Sequence, residues 1–222
     1  MMAKFLHYFN RAELLLNLSE AFRNAGIKDD RQGEIMGFLH PLRIKDSATY
    51  EHSIRVGLLA YKIGKYIHLD QKALLYAGLL HDIGKAQTRL AVLQKTEGWT
   101  EADTTEIMEH VIDGYRLIRD HFDFSAEIIL WHHKFQSRGY PAQMPVALHT
   151  YSQGTQVMIP MYGRMLSLAD TFDALHRVND KYVFGPHPGE EIKQKMLTFH
   201  PDQRILVEDL FKDGIFTTSI FE

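Results

Sequence analysis

The stretch Leu79-Leu80-His81-Asp82-Ile83-Gly84-Lys85 ends an apolar segment with an adjacent imidazole and carboxylate, then a glycine and a lone cation. Between Gln71 and His81, Leu74, Ala77, Gly78 and His81 fall on one helical stripe, and Leu75, Leu79 and Asp82 on its neighbour. The pair therefore emerges at the inner end of a buried helix. An unpaired carboxylate there is costly, and a cation is the simplest remedy; its two oxygens can bridge two cations. A local His-Asp hydrogen bond at a helix end is the plainer alternative. Gly84 is expected to let the chain turn sharply, leaving Lys85 as a fixed positive charge beside the pair.

Working outward, other segments carry His or Asp on apolar stripes. His52, Val56, Leu59 and Ile63 recur at spacings of four, three and four, on a helix expected to end near His68. Alone, His52 reads as a satisfied core histidine. The segment 103–121, with Thr100 or Asp103 as cap, carries Ile107, His110, Gly114 and Leu117 on one face. In a helix over 125–135, His132 and His133 lie near the face of Ile129, and two consecutive inward imidazoles are hard to explain by packing. A helix over Met165–Leu175 aligns Leu166, Asp170 and Asp173, giving an inward carboxylate and a second that either forms a salt bridge or orients a ligand histidine.

The remaining segments are read as support. Residues 4–25 suggest one or two amphipathic helices. Residues 27–50, interrupted by Gly33, Gly37 and Pro41, suggest a short helix and a connecting loop. Residues 142–158 read as a polar loop, either a flap over the site or a solvated connection, and the C-terminal part as covering structure. The expected organisation is one domain over 47–222 with a helical lead-in over 1–46.

Composition narrows the chemistry. The chain has 222 residues, 45% of them hydrophobic, a formal charge of -3 and no Cys. A net charge this small gives no reason to expect a DNA-binding surface or a polybasic membrane anchor. Without Cys, a metal must be held by His nitrogen and carboxylate oxygen, which suits Fe, Mn or Zn. No apolar run is long enough to span a bilayer and the N-terminus lacks a signal-peptide core, so a cytoplasmic protein is expected. The inward groups His52, His81, Asp82, His110, His132, His133 and Asp170 are too many for one ion and fit two, with Asp82 shared.

Collected, His52, His81-Asp82 and Asp170 resemble the ligand skeleton of the HD superfamily of metal-dependent phosphohydrolases. Further motifs resemble its HD-GYP subfamily: Leu80–Lys85, Glu109-His110 with Gly114, His132-His133 before Gly139-Tyr140-Pro141, and Ile159-Pro160 before Arg164 and Leu168–Leu175. The resemblance covers about residues 47–212, with the motifs in order. It implies an all-α bundle around a buried dinuclear centre that hydrolyses cyclic dinucleotides, chiefly cyclic di-GMP, to the linear form. One metal would take His52, His81, Asp82 and Asp170, the other Asp82, His110, His132 and His133. A third-metal Glu would fall at Ala48, so two are expected.

Two departures concern substrate. Lys134-Phe135-Gln136-Ser137-Arg138 lacks the family's Glu and Asp-Gly and is one residue shorter. Asp180-Lys181-Tyr182-Val183 replaces an Arg-Pro-Tyr plus basic motif, leaving Arg177 and Lys181 as candidate substrate contacts beside Tyr140. The loop from Pro141 to Ile159 is also longer. A dinuclear centre activates water near neutral pH, and Lys85 adds charge neutralisation at phosphorus. Arg164 and Asp173 are expected to support the ligands. The alternatives are a phosphohydrolase for a mononucleotide or other phosphoester, a non-catalytic module docking a signalling protein, and a di-iron oxygenase; a homodimer is left open.

Overall fold

The computed structural model describes residues 11–176 and 188–217, and among these every regular element is a helix. Helix α1 (Arg11–Asn24) buries Leu14, Leu18, Ala21 and Phe22. Helix α2 (Asp29–Lys45) departs from the expected short helix and loop, running through Gly33, Gly37 and Pro41. Burial explains the difference. Ile35, Leu39 and Leu42 are fully enclosed, and at about 1.5–3 kcal/mol each they offset the roughly 3 kcal/mol of an interior proline and about 1 kcal/mol per glycine. Both helices share one core with the helices C-terminal to them.

Helix α3 (Ser47–Tyr66) starts at Asp46, whose carboxylate accepts from the Thr49 amide, and the chain leaves it through His68 in the left-handed region at φ 58°. Helix α4 (Gln71–Leu80) is capped by Asp70 in the same way. The two helices touch backbone to backbone: a Cβ on Gly78 would lie 2.7 Å from Gly57 Cα. That approach brings the His52 and His81 rings to 5.1 Å between centroids.

A 3₁₀ turn (Ile83–Ala86) follows, then the short α5 (Leu90–Leu93) and α6 (Glu101–Met108), which opens on a reciprocal Thr100–Asp103 capping box. The helix expected to run on to 121 is interrupted at Glu109, and α7 (His110–Ile118) begins there. Helix α8 (Asp123–Ile129) likewise stops before His132 and His133, which sit in the tight turns after it. The same side-chain bond marks both breaks. The His110 Nδ1 donates to the Ile107 carbonyl and the His132 Nδ1 to the Ile129 carbonyl, so each imidazole caps a carbonyl of the turn before it. His81 does the same to the Gly78 carbonyl at the end of α4.

Gly84 has a different role from the sharp turn expected of it, since it is not among the positive-φ residues. A Cβ there would fall 1.9 Å from the His110 carbonyl oxygen and 2.6 Å from the Gly114 nitrogen. Glycine is required because the 3₁₀ turn presses directly onto the first turn of α7.

Helix α9 (Gln153–His176) begins inside the segment expected to be loop, so that the irregular stretch ends at Ser152. Helices α10 (Pro188–Phe199) and α11 (Arg204–Lys212), joined through a 3₁₀ turn (Pro201–Gln203), close the bundle with Met196, Val207, Leu210 and Phe216 in the core. Among the described residues no helix is long and apolar enough to cross a membrane.

Candidate metal centre

The seven inward groups predicted from the sequence meet where the ends of α4 and α8, the start of α7 and the flanks of α3 and α9 converge. Their ligand atoms form three overlapping triads, His52-His81-Asp170, His81-Asp82-His132 and His110-His132-His133, each within a span of 4.8 Å. Asp82 lies between two sets. Its Oδ2 is 3.3 Å from His81 Nε2 and 3.5 Å from His52 Nε2, while its Oδ1 is 3.3 Å from His110 Nε2. Asp170 Oδ1 stands 3.1 Å from His52 Nε2.

The tautomers suit ligation. A carbonyl can only accept, so His81, His110 and His132 carry their proton on Nδ1 and turn the Nε2 lone pair inward. His52 Nδ1 is held at 2.6 Å by Asp173, which Arg55 grips in turn through Nε at 2.7 Å. Asp173 is thus beside a histidine and an arginine at once, joining the two roles weighed for it from the sequence. Among the described residues the buried Nε2 atoms of His52, His81, His110 and His132, and Asp82 Oδ1, have no hydrogen-bond partner. Four inward lone pairs and a carboxylate oxygen without donors make a site a cation would satisfy.

Charge is distributed unevenly. Burial raises the Asp82 carboxyl, but the charges of His81 and Lys85 reverse this and hold it well below the usual range. Asp170 is likewise low, because the adjacent His52 and His81 imidazoles overcome burial. His81 loses by burial but is raised by Asp82. The other imidazoles go the opposite way: burial and the Lys85 charge take His110 down to about 3, and burial and His81 take His132 to about 4. His133 is also driven well down, by burial and His132. These three are neutral donors at ordinary pH.

Lys85 Nζ lies 2.6 Å from Asp82 Oδ2 and keeps some exposure, as expected of a cation at the edge of the pair. Tyr140 stacks on His133, with centroids 4.4 Å apart, and meets His110 edge-on. Burial pushes its phenol pKa up strongly, so it acts only as a neutral phenol. Arg164 touches none of the imidazoles of the cluster; it binds Asp202 and His200. Arg177 and Lys181 lie outside the described residues. Arg55 was not singled out from the sequence, although its place three residues after His52, matching Asp173 three after Asp170, was the available signal. Gln136 was likewise not singled out, appearing only within the altered run Lys134–Arg138. Its carboxamide lies 2.7 Å from His133 Nδ1; with the amide turned so that its oxygen meets the ring, it would fix the same tautomer.

The HD domain family matches residues 49–175. A 3'3'-cGAMP-specific phosphodiesterase 1 of Vibrio cholerae is 30% identical over 138 residues, 59% of this chain and 30% of that protein. A cyclic di-GMP phosphodiesterase of Thermotoga maritima is 28% identical over 166 residues, 71% of this chain and 41% of that one. The chain thus spans well under half the length of these curated relatives. Among solved structures, the HD domain of the L. monocytogenes phosphodiesterase PgpH superposes with a TM-score of 0.52 at 18% identity, covering 82% of this chain and 87% of that one. The same domain in complex with cyclic-di-AMP gives 0.50 at 19%, covering 82% and 86%. At such identity the likeness bears on fold alone, and it agrees with the all-helical bundle.

Proposed function

Since the chain belongs to the HD domain family, we propose that it is a metal-dependent phosphodiesterase of HD-GYP type, opening a cyclic dinucleotide (cyclic di-GMP or a relative) to the linear dinucleotide. The observation that carries this reading is Asp82, whose two oxygens face two separate imidazole groups while Lys85 stands 2.6 Å away. A shared carboxylate between two nitrogen-rich groups is what a dinuclear hydrolase needs. The substrate class is supported by the two curated relatives, both phosphodiesterases of cyclic dinucleotides. The HD-GYP assignment is supported by Tyr140 of Gly139-Tyr140-Pro141 stacking on His133.

His52, His81, Asp82 and Asp170 would hold one ion, and Asp82, His110, His132 and His133 the other; Fe or Mn suits this donor set best, with Zn also compatible. When bound, two such ions supply acidified water and Lewis-acid neutralisation of the phosphoryl oxygens. The chain's own residues do the rest. Lys85 presents an ammonium to a non-bridging oxygen and gains strength as charge develops there. Asp173 keeps the His52 proton on Nδ1. Tyr140 covers the outer face of His133 and excludes water from it.

Elemental analysis of purified protein, then chromatography of reactions with cyclic di-GMP, 3'3'-cGAMP and cyclic di-AMP, tests the reading with Asp82→Ala as control. We expect about two ions per chain and conversion to linear dinucleotide by the wild type alone. Intact cyclic dinucleotides with metal-loaded wild type would exclude it. Turnover of a phosphomonoester panel instead would favour the mononucleotide alternative, to which the replaced basic motif at 180–183 points.

A further inference from the structure

The turn carrying His132 and His133 has left α8 and needs something else to fix it. Two contacts from α9 press on it. A Cβ on Gly163 would lie 2.2 Å from Trp131 Cβ, and the guanidinium of the next residue, Arg164, sits 4.7 Å from the Phe135 ring centre. Trp131 and Phe135 bracket the histidine pair, so α9 backs the whole turn.

Arg164 is buried, and its direction is set from the C-terminal end of the fold. Its Nε donates to Asp202 Oδ2 at 2.9 Å, a second nitrogen donates to Asp202 Oδ1, and its Nη1 donates to His200 Nδ1 at 2.7 Å. A forked carboxylate with a third acceptor fixes a planar guanidinium in orientation as well as position. Because His200 accepts on Nδ1, its proton is on Nε2, the reverse of the tautomer in His81, His110 and His132. His200 is buried and belongs to none of the three triads. Its arrangement serves the arginine.

We propose that Asp202 and His200 are positioning residues for the His110-His132-His133 group, acting through Arg164 and Phe135, so that the C-terminal turn sets the affinity of one ion of the pair. This rests on the dinuclear reading above. The other group is carried by α3, α4 and α9 without the turn, and is left alone. Asp202→Asn is nearly isosteric but removes the charge that holds the fork; the guanidinium then no longer has a fixed plane against Phe135, and the turn loses its backing.

The test is titration of metal-free protein with Mn2+, read by electron paramagnetic resonance, beside thermal melting of the metal-free forms. In wild type we expect two ions and the spin-coupled signal of a bridged pair. Asp202→Asn is expected to bind the first Mn2+ as wild type and the second about tenfold more weakly, at the lower end of what ligand-orienting residues cost, with the coupled signal delayed to match. Asp202→Glu and His200→Asn, whose Oδ1 replaces Nδ1 as acceptor, should each keep the wild-type affinity for both ions. An Asp202→Asn protein that melts lower but keeps both affinities would make the cluster a structural pin and overturn the proposal, as would equal weakening of both ions. A wild type that takes up one Mn2+ with no coupled signal would overturn the dinuclear reading, and this inference with it.

Discussion

The two halves of the cluster are built differently. His52, His81 and Asp170 ride on α3, α4 and α9, with Arg55 and Asp173 behind them in the core. His110, His132 and His133 stand at a helix start and in a turn, and His133 is only half-buried, leaning on Tyr140 and Gln136. The electrostatics divide the same way: carboxylates raise His81, whereas His110, His132 and His133 are all depressed. One half is rigid and rich in charge; the other is neutral and held by contacts that a few substitutions can alter. The first should bind its ion more tightly and tolerate less change.

Removing what the halves share should have the largest effect. Asp82→Ala is expected to lose both ions and to lower turnover by more than the roughly 10–100-fold typical of residues that only orient ligands, checked by elemental analysis and chromatography. Asp173→Asn breaks the charged pair behind His52 and should weaken the ion of the rigid half by about 10–100-fold while sparing the other; titration followed by calorimetry would separate the two. Gly84→Ala drives a methyl into the His110 carbonyl and should act on the other half. We expect a cost of about 1–3 kcal/mol for such overpacking, roughly 2–12 °C in melting temperature for a chain of this length, with the neutral half losing its ion first.

Acidity offers a subtler separation. In metal-free protein His110 titrates at about 3 and His132 at about 4, against about 6.5 in an unfolded chain. Between those values the unfolded state binds the extra protons, so stability is present above about pH 6.5 and falls as pH drops toward 4, by up to about 1.4 kcal/mol per pH unit for each histidine. His81, raised in the fold, has the opposite sign: its contribution is complete below about 6.5 and lost as pH rises through its folded value. Melting curves over pH 4–8 should show the acid-side slope, and His132→Gln should reduce it. A flat profile would remove the contrast. The smallest change expected is Gln136→Glu, which puts a carboxylate behind His133 and should tighten the second ion by a few-fold.

The clustered His and Asp residues were legible because the sequence sets them in register with apolar stripes, and His81-Asp82 at the end of one such stripe anchored the rest. Helix boundaries were less so. Pro41 and two glycines suggested a loop where burial of Ile35, Leu39 and Leu42 sustains α2, since periodicity reports composition and not how completely neighbours enclose a face. The breaks at Glu109 and after Ile129 coincide with side-chain bonds to carbonyls that no spacing rule records. Gly84 was marked as special for the wrong reason, because a close approach between two backbones is a tertiary fact. Arg55 and Asp202 stayed hidden because their partners lie 118 and 38 residues away.

The orienting bonds of the imidazoles differ in how far along the chain they reach. His81, His110, His132 and His133 each take theirs from a residue three positions away, whereas His52 takes its own from Asp173, 121 positions downstream. Four of the five are thus closed within a single turn of chain and call on no distant segment. The fifth depends on α9 reaching α3. Of the five imidazoles, His52 is therefore the one whose orientation is tied to the packing of α9 on α3, so a substitution that loosens that packing would free its ring first.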